Sequence, residues 1–322
     1  MRRTYLDFEE PLRALDRARD AARAQGDRAT EEQVEREIDA TARRIFAGLT
    51  AWQRVQLSRH VDRPFTLDYV GALCTDFVEL HGDRAFGDDA AIVAGLARRG
   101  ERPLAIVGHQ RGRGTAEKVR RNFGMPRPEG YRKARRVFRL AGRAGIGLLT
   151  FVDTQGAFPG TESEERGIAE AISGCIAELA ALPVPIVSVV IGEGGSGGAL
   201  ALAVSDALLM LEHSCLAVIS PEGCASILER QRSPEGIARA AESLGLTAAR
   251  LHALGIADEI IPEPVGGAHR DPAAAARAVG EAIDRAFAAL DELDPEALRR
   301  RRDERLRAIG RAAVVERAAE AR

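Results

Sequence analysis

Residues 186–203 read Ile-Val-Ser-Val-Val-Ile-Gly-Glu-Gly-Gly-Ser-Gly-Gly-Ala-Leu-Ala-Leu-Ala. The β-branched apolar run predicts a strand, and the alanine-rich run predicts a helix leaving it. Between them, five of the seven residues from Gly192 to Gly198 are glycine. Such an elbow brings bare backbone N–H groups against a ligand, and the helix N-terminus behind it favours negative charge. The chain is therefore prepared for an anion, either a phosphate or an oxygen that gains charge only during a reaction.

Three chemistries fit the elbow. Gly192-Glu193-Gly194-Gly195-Ser196-Gly197 matches G-x-G-x-x-G between a strand and a helix, and Glu212 stands where a ribose-binding acid belongs in a dinucleotide site. Gly194-Gly195-Ser196-Gly197-Gly198 also matches the G-x-S-x-G of a serine hydrolase, with Asp258 and His269 following in the right chain order. The third reading is an oxyanion hole, in which two fixed N–H donors face a carbonyl oxygen that gains charge. Under that reading a branched side chain at Gly198 would block the approach and leave the fold intact. A second loop, Asp153-Thr154-Gln155-Gly156-Ala157-Phe158-Pro159-Gly160, repeats the pattern of a buried strand entering a small-residue turn. Two such loops at strand ends of one α/β core would line a shared crevice.

The rest of the chain narrows the class. The 322 residues are 45% hydrophobic, enough for a substantial core, and no apolar run approaches the roughly 18–20 residues of a membrane span. The N-terminus turns acidic at Asp7, Glu9 and Glu10 before any apolar segment, so it reads as neither a signal peptide nor an anchor, and the expected location is cytoplasmic. A net charge of −2, from 46 basic and 48 acidic residues, argues against general nucleic-acid binding. Cys74, Cys175, Cys215 and Cys224 show no zinc-ligand spacing, so no metal is expected in this chain.

Periodicity predicts helices over 8–59 with a break at Gln25-Gly26-Asp27, then a helix from about Leu67 to Leu80. Strands are predicted at Ala91–Leu96, Leu104–Gly108, Leu148–Val152, Ile186–Ile191, Ala207–Leu211 and Leu216–Ile219, with a last one ending at Ile260-Ile261-Pro262. Helices are predicted from about Glu129, over 164–181, and over 272–290 and 295–320. The strands between about 90 and 262 alternate with helices, which predicts an α/β core with a largely parallel sheet.

Several strings are long and unusual: His81-Gly82-Asp83-Arg84-Ala85-Phe86-Gly87-Asp88, Arg121-Asn122-Phe123-Gly124-Met125-Pro126, Glu129-Gly130-Tyr131-Arg132-Lys133-Ala134, Gly192–Leu200, Ser220-Pro221-Glu222-Gly223-Cys224-Ala225-Ser226 and Gly266-Gly267-Ala268-His269-Arg270. In these the chain resembles the α subunits of bacterial acetyl-CoA carboxylase carboxyltransferase. The resemblance implies a crotonase-like fold of the ClpP/crotonase superfamily, built of repeated ββα units with added terminal helices. It divides the chain into an N-terminal helical extension at 1–62, a carboxyltransferase core at 63–271 and a C-terminal helical segment at 272–322.

The resemblance also implies a reaction, transfer of carboxylate from carboxybiotin to acetyl-CoA, giving malonyl-CoA for fatty-acid synthesis. Biotin would arrive on a biotin carboxyl carrier protein loaded by a biotin carboxylase. A zinc-bearing β subunit would complete an α2β2 assembly. Gly197, Gly198 and Ala199 would supply the oxyanion hole, with Gly194, Gly195, Gly156, Ala157 and Phe158 around the substrate. Arg120 and Arg121, in a basic segment running from Arg111 to Lys133, would face CoA phosphates or an acidic carrier. Asp153, Glu193 and Glu222 would be structural. Gln155, Leu216-Ala217 and Glu229 depart from the residues usual in the family. They leave room for a paralogue acting on another acyl-CoA, or for a non-catalytic scaffold of the β subunit.

Overall fold

The computed structural model describes residues 3–228 and 233–310, so Glu229 and the end of the predicted 295–320 helix lie outside the described residues. The chain opens with α1 (Glu10–Gln25), α2 (Arg28–Ala47), α3 (Ala51–Ser58) and α4 (Thr66–Leu73). Then come β1 (Thr75–Glu79), β2 (Ile92–Arg99), β3 (Arg102–His109), α5 (Gly114–Arg120), α6 (Pro128–Ala144) and β4 (Gly147–Thr154). The middle holds α7 (Thr161–Glu165), α8 (Ile168–Ala181), β5 (Ile186–Gly195), α9 (Ser196–Ala203), β6 (Ala207–Leu211) and β7 (Cys215–Ala217). It ends with α10 (Pro221–Leu228), α11 (Pro234–Leu244), α12 (Ala248–Ala253), β8 (Glu259–Ile261), α13 (Pro272–Leu290) and α14 (Pro295–Ala308).

The strands form one eight-stranded sheet in the order β1-β2-β3-β4-β5-β6-β8, with β7 beside the end of β5. The first three strands are antiparallel and β3 through β8 pair in parallel. Successive residues of β3 face opposite layers, as the two-residue strand period requires. Ala105 and Val107 meet α6, α8 and α9, whereas Leu104 and Ile106 meet α4 and α13. Both faces of the central strands are therefore covered, which explains their unbroken apolar runs. Arg302 of α14 is wholly buried; it pairs with Asp206 at 2.7 Å and donates to the carbonyls of Leu179, Leu182 and Val184.

Three elements differ from the sequence expectation. The helix predicted to run to Leu80 stops at Leu73; Cys74 is extended, and Thr75–Glu79 is an edge strand antiparallel to β2. Its apolar residues keep helix-like spacing with those of α4, and no glycine or proline marks the change. The strand predicted to stop at Ile191 continues through Gly195, and the one predicted at Leu216–Ile219 lies at Cys215–Ala217, paired with Glu193–Gly195. The first four glycine-elbow residues are thus sheet, and the turn itself is confined to Gly195 and Ser196.

Candidate active site at the end of β5

Ser196 has a left-handed backbone, φ 53°, and is exposed. Behind it α9 begins with no side chain capping it. In an α-helix the first N–H groups have no carbonyl one turn back to receive them. At α9 these belong to Ser196, Gly197 and Gly198, at the positive end of the helix dipole. Ala199 is wholly buried and stands where the i→i−4 ladder of α9 starts.

Most of the elbow glycines are required by the chain's own packing. A Cβ on Gly192 would strike the Asp153 carboxylate, and one on Gly195 would strike the Gln155 carbonyl. At Gly194 it would lie 2.7 Å from Leu216 Cδ1; at Gly198 it would lie 2.5 Å from Ala157 N and 2.8 Å from Tyr131 Oη. At Gly195 and Gly198 the contacts come from Gln155 and Ala157 of the loop after β4, so the two small-residue loops do meet, each admitting the other. A valine at Gly198 would therefore disturb the fold, contrary to the sequence expectation. Gly197 differs: its Cβ would meet nothing closer than Ile172 Cγ2 at 3.6 Å.

Charged side chains fasten the two loops from behind. Glu193 Oε1 accepts from Arg59 Nη2 at 2.7 Å, and Oε2 from Arg111 Nη2 at 3.1 Å. The Glu193 N–H donates to Asp153 Oδ1 at 3.2 Å, and the same oxygen lies 3.2 Å from Arg111 Nε as an ion pair. Arg59 Nη1 also donates to Glu222 Oε1 at 2.6 Å, which ties α10 to the elbow. Burial raises the Asp153 carboxyl while Arg111 pulls it down; burial opposes Arg59's hold on Glu222, and the guanidinium wins and lowers it. Asp153, Glu193 and Glu222 each lie within ion-pair distance of a guanidinium, and for Asp153 burial prevails, so its carboxyl stays raised. His109, at the end of β3, is buried and its imidazole is pushed down to about 3, so it stays neutral. Its Nδ1 accepts from the Asp153 N–H at 3.4 Å, and its Nε2 has no hydrogen-bond partner.

These contacts answer the competing chemistries. His269 meets Glu9 Oε1 at 2.9 Å and Asp258 pairs with Arg305, so neither serves Ser196 as base or orienter. Gly192 lies within β5 and Gly194 pairs with Thr154 and Leu216, so neither forms a phosphate turn, and Glu212 accepts from the Glu263 N–H. The basic segment divides. Arg121 turns inward to the Ala90 carbonyl, Arg132 pairs with Asp83, and Lys133 is wholly buried on Asp88. Arg120 is exposed on α5. Arg59, Arg111, Arg113, Lys118, Phe65 and Phe123 line a cleft of about 440 Å³, with Gln155 at its edge. Phe158 is half-buried with the Arg127 guanidinium 4.8 Å from its ring centre, and its N–H donates to the Pro126 carbonyl.

Arg59, His109 and Tyr131 are the residues that sequence reasoning gave no role. His109 follows a predicted parallel strand, and the rule that sites gather at strand C-termini could have flagged it. Arg59 sits at the end of a charged helix, 134 positions from Glu193; no local pattern marks it.

Residues 5–310 match the family described as acetyl co-enzyme A carboxylase carboxyltransferase-like. The acetyl-coenzyme A carboxylase carboxyl transferase subunit alpha of Halorhodospira halophila is 51% identical over 317 residues, 96% of this chain and 99% of the relative. Its counterpart from Burkholderia multivorans is 52% identical over 319 residues, 97% and 98% of the two chains. Among solved structures, a Pseudomonas malonate decarboxylase hetero-tetramer in complex with coenzyme A aligns with TM-score 0.58 at 18% identity, over 73% of this chain and 91% of that one. Transcarboxylase 12S aligns with TM-score 0.54 at 21% identity, over 69% and 44%. These two likenesses bear on the fold and support the crotonase-like carboxyltransferase architecture. With near-complete coverage at half identity, the chain belongs to the acetyl co-enzyme A carboxylase carboxyltransferase-like family.

Proposed function

We propose that this chain is the α half of a carboxyltransferase that makes malonyl-CoA from acetyl-CoA, and that its N–H groups at Gly197 and Gly198 form an oxyanion hole. The observation that supports this most is the uncapped start of α9 at the one elbow glycine whose Cβ would meet only an ordinary contact, Ile172 Cγ2 at 3.6 Å. Donors fixed before the reaction lower the barrier without reorganising, each being worth roughly 2.7–4 kcal/mol. Carboxybiotin, brought by a carrier protein, supplies the carboxyl group when bound. The donor set suits it, because backbone N–H groups serve an oxygen that gains charge and compete for no proton. The chain's part is to hold that oxygen, while Arg59, Arg111 and Asp153 keep the two loops in register. The cations of the 440 Å³ cleft suit an acidic carrier or a ligand phosphate.

A second oxyanion hole, for the thioester, would come from a zinc-bearing β subunit in an α2β2 assembly, with an interface well over ~2,000 Å². The helices outside 63–271 supply surface for it. No described helix is long and apolar enough to cross a membrane, and we place the complex in the cytoplasm. The test is malonyl-CoA decarboxylation in the reverse direction with biotin present, for the chain alone and with a β subunit. Turnover should appear only on mixing. Full turnover by the chain alone would overturn the shared site, and none from the mixture would overturn the assignment.

A further inference from the structure

Gln155 follows β4 and is exposed. Its backbone is held fast on both sides. The Thr154 hydroxyl donates to the Gly124 carbonyl at 2.6 Å and accepts from the Gly156 N–H at 3.1 Å. The Gln155 carbonyl packs on Gly195, where a Cβ would strike it. The side-chain amide, by contrast, makes no hydrogen bond among the described residues. A fixed backbone thus presents a free amide.

That amide stands at a junction. Gln155 lines the cleft of about 440 Å³ and also the recess against Gly194 and Gly195. The cleft has the size and make-up of a small-molecule site, with apolar walls and a few polar groups. Val61, Phe65 and Phe123 supply the apolar wall. Phe123 is held there at φ 56°, a left-handed conformation that bulky residues rarely adopt, and is 50% exposed. Arg59 and Arg111 are taken by Glu193, and Arg113 by Asp68. Lys118, half-buried in the same cleft, meets no carboxylate among the described residues, so it is left for an anionic group of a ligand.

A primary amide offers donor and acceptor side by side, the complement of a secondary amide. Both substrates of the proposed reaction bring such a group, one in the pantetheine arm of a CoA thioester and one in the lysyl arm of carrier-borne biotin. We propose that Gln155 determines specificity by hydrogen-bonding a secondary amide in the arm of a ligand that lies in the cleft with its reacting end at the elbow. The inference rests on the carboxyltransferase reading. No bond is made or broken by the glutamine.

Gln155→Leu keeps the length of the side chain and removes both hydrogen-bonding groups. The test is malonyl-CoA decarboxylation by the chain assembled with its β subunit, with biocytin (biotinyl-lysine) or free biotin as acceptor. The variant is expected to raise KM about three- to tenfold, the effect of one lost hydrogen bond. kcat at saturation should hold, because such a bond serves ground state and transition state alike. A raised KM for malonyl-CoA supports the proposal and assigns the thioester arm. A raised KM for biocytin with none for free biotin, which lacks the lysyl amide, supports it and assigns the biotin arm. Wild-type KM for both malonyl-CoA and biocytin overturns it, as does an equal rise for biocytin and free biotin, or a loss that comes with lowered Tm or weakened β-subunit binding. A wild-type assembly without turnover fails the parent assignment instead. Calorimetry with pantetheine and biocytin still reads Gln155 in that case, and equal affinities in wild type and Gln155→Leu overturn the proposal.

Discussion

The seam between residues 3–63 and residues 263–270 and the elbow are both fastened by charged side chains, but only the seam gathers a carboxylate and two imidazoles in one buried cluster. At the seam Arg63 pairs with Glu263 at 2.7 Å with both side chains buried, His269 meets Glu9, and Arg270 meets Asp16 at 3.0 Å. His60 stacks on His269 with ring centres 4.1 Å apart. Together Glu9, His60 and His269 bring one ligand atom each within 4.8 Å, spacing that suits a metal. Yet most of the groups are already occupied: His60 Nδ1 accepts from the Asp62 N–H, its Nε2 faces the Thr4 carbonyl, Glu9 accepts from the Leu6 N–H, and His269 Nε2 meets Glu9, leaving His269 Nδ1 unpartnered. At the elbow the charges pair behind the two loops, and α9 starts with no side-chain cap. Charged side chains here are used to fasten segments, and the groups fit for catalysis are amides.

The contrast is sharpest under mutation. Arg63→Met would leave Glu263 buried with only the His213 and Ala268 N–H groups for company. Breaking a buried pair from one side costs about 3–5 kcal/mol. Chemical denaturation should show that loss, while kcat per folded molecule stays unchanged. A drop in kcat without a stability loss would mean the seam takes part in the reaction. Gly197→Val should do the converse. Its Cβ would meet nothing closer than Ile172 Cγ2 at 3.6 Å, so stability should hold, while a branched side chain is added beside the proposed N–H donors. Carboxyl transfer should fall by about 10²–10³ in kcat, the effect of losing one such donor. Wild-type turnover in Gly197→Val would move the oxyanion site away from α9.

What the sequence made legible follows the same division. The central strands and the α9 helix were readable, because their apolar runs are set by layers on both faces. Strand β1 was not, since Thr75–Glu79 owes its conformation to pairing with β2 rather than to local preference. The glycine elbow was found for a reason only partly right. Glycine density signals close approach, but it cannot say whether the approaching atoms belong to a ligand or to the chain. At Gly192 they belong to Asp153 of β4 and at Gly195 and Gly198 to the loop after it, and only at Gly197 is the chain's own approach no closer than 3.6 Å. The Arg59–Glu193 and Arg111–Glu193 contacts join positions 134 and 82 residues apart, so no sequence window contains them.

A smaller effect is expected at Ser196, where the hydrolase and oxyanion readings part. Its left-handed φ carries strain that glycine relieves, against the entropy glycine loses on folding. Ser196→Gly should shift stability by under about 1 kcal/mol and leave carboxyl transfer intact. Loss of activity in Ser196→Gly, together with labelling of the wild-type chain by a serine-reactive phosphonate, would bring back the nucleophile.

The smallest effect separates the two regions by pH. Burial, with His269 alongside, holds the His60 imidazole down at about 4, while Glu9 and Asp62 pull it up. The folded seam therefore disfavours a proton that the unfolded chain takes up near pH 6.5. Between those values the unfolded state binds more protons, so stability rises with pH and is lost as pH falls from about 6.5 to about 4. The carboxylates of Asp83, Asp88 and Glu263, lowered to about 2, act in a lower window and do not confuse the reading. His109 and His213 are also depressed, so they share the direction. His60→Gln should flatten part of the Tm slope over that interval and leave kcat at pH 7 unchanged. An unaltered slope would show that the seam does not sense protons through His60, and a changed kcat would tie the seam to the elbow after all.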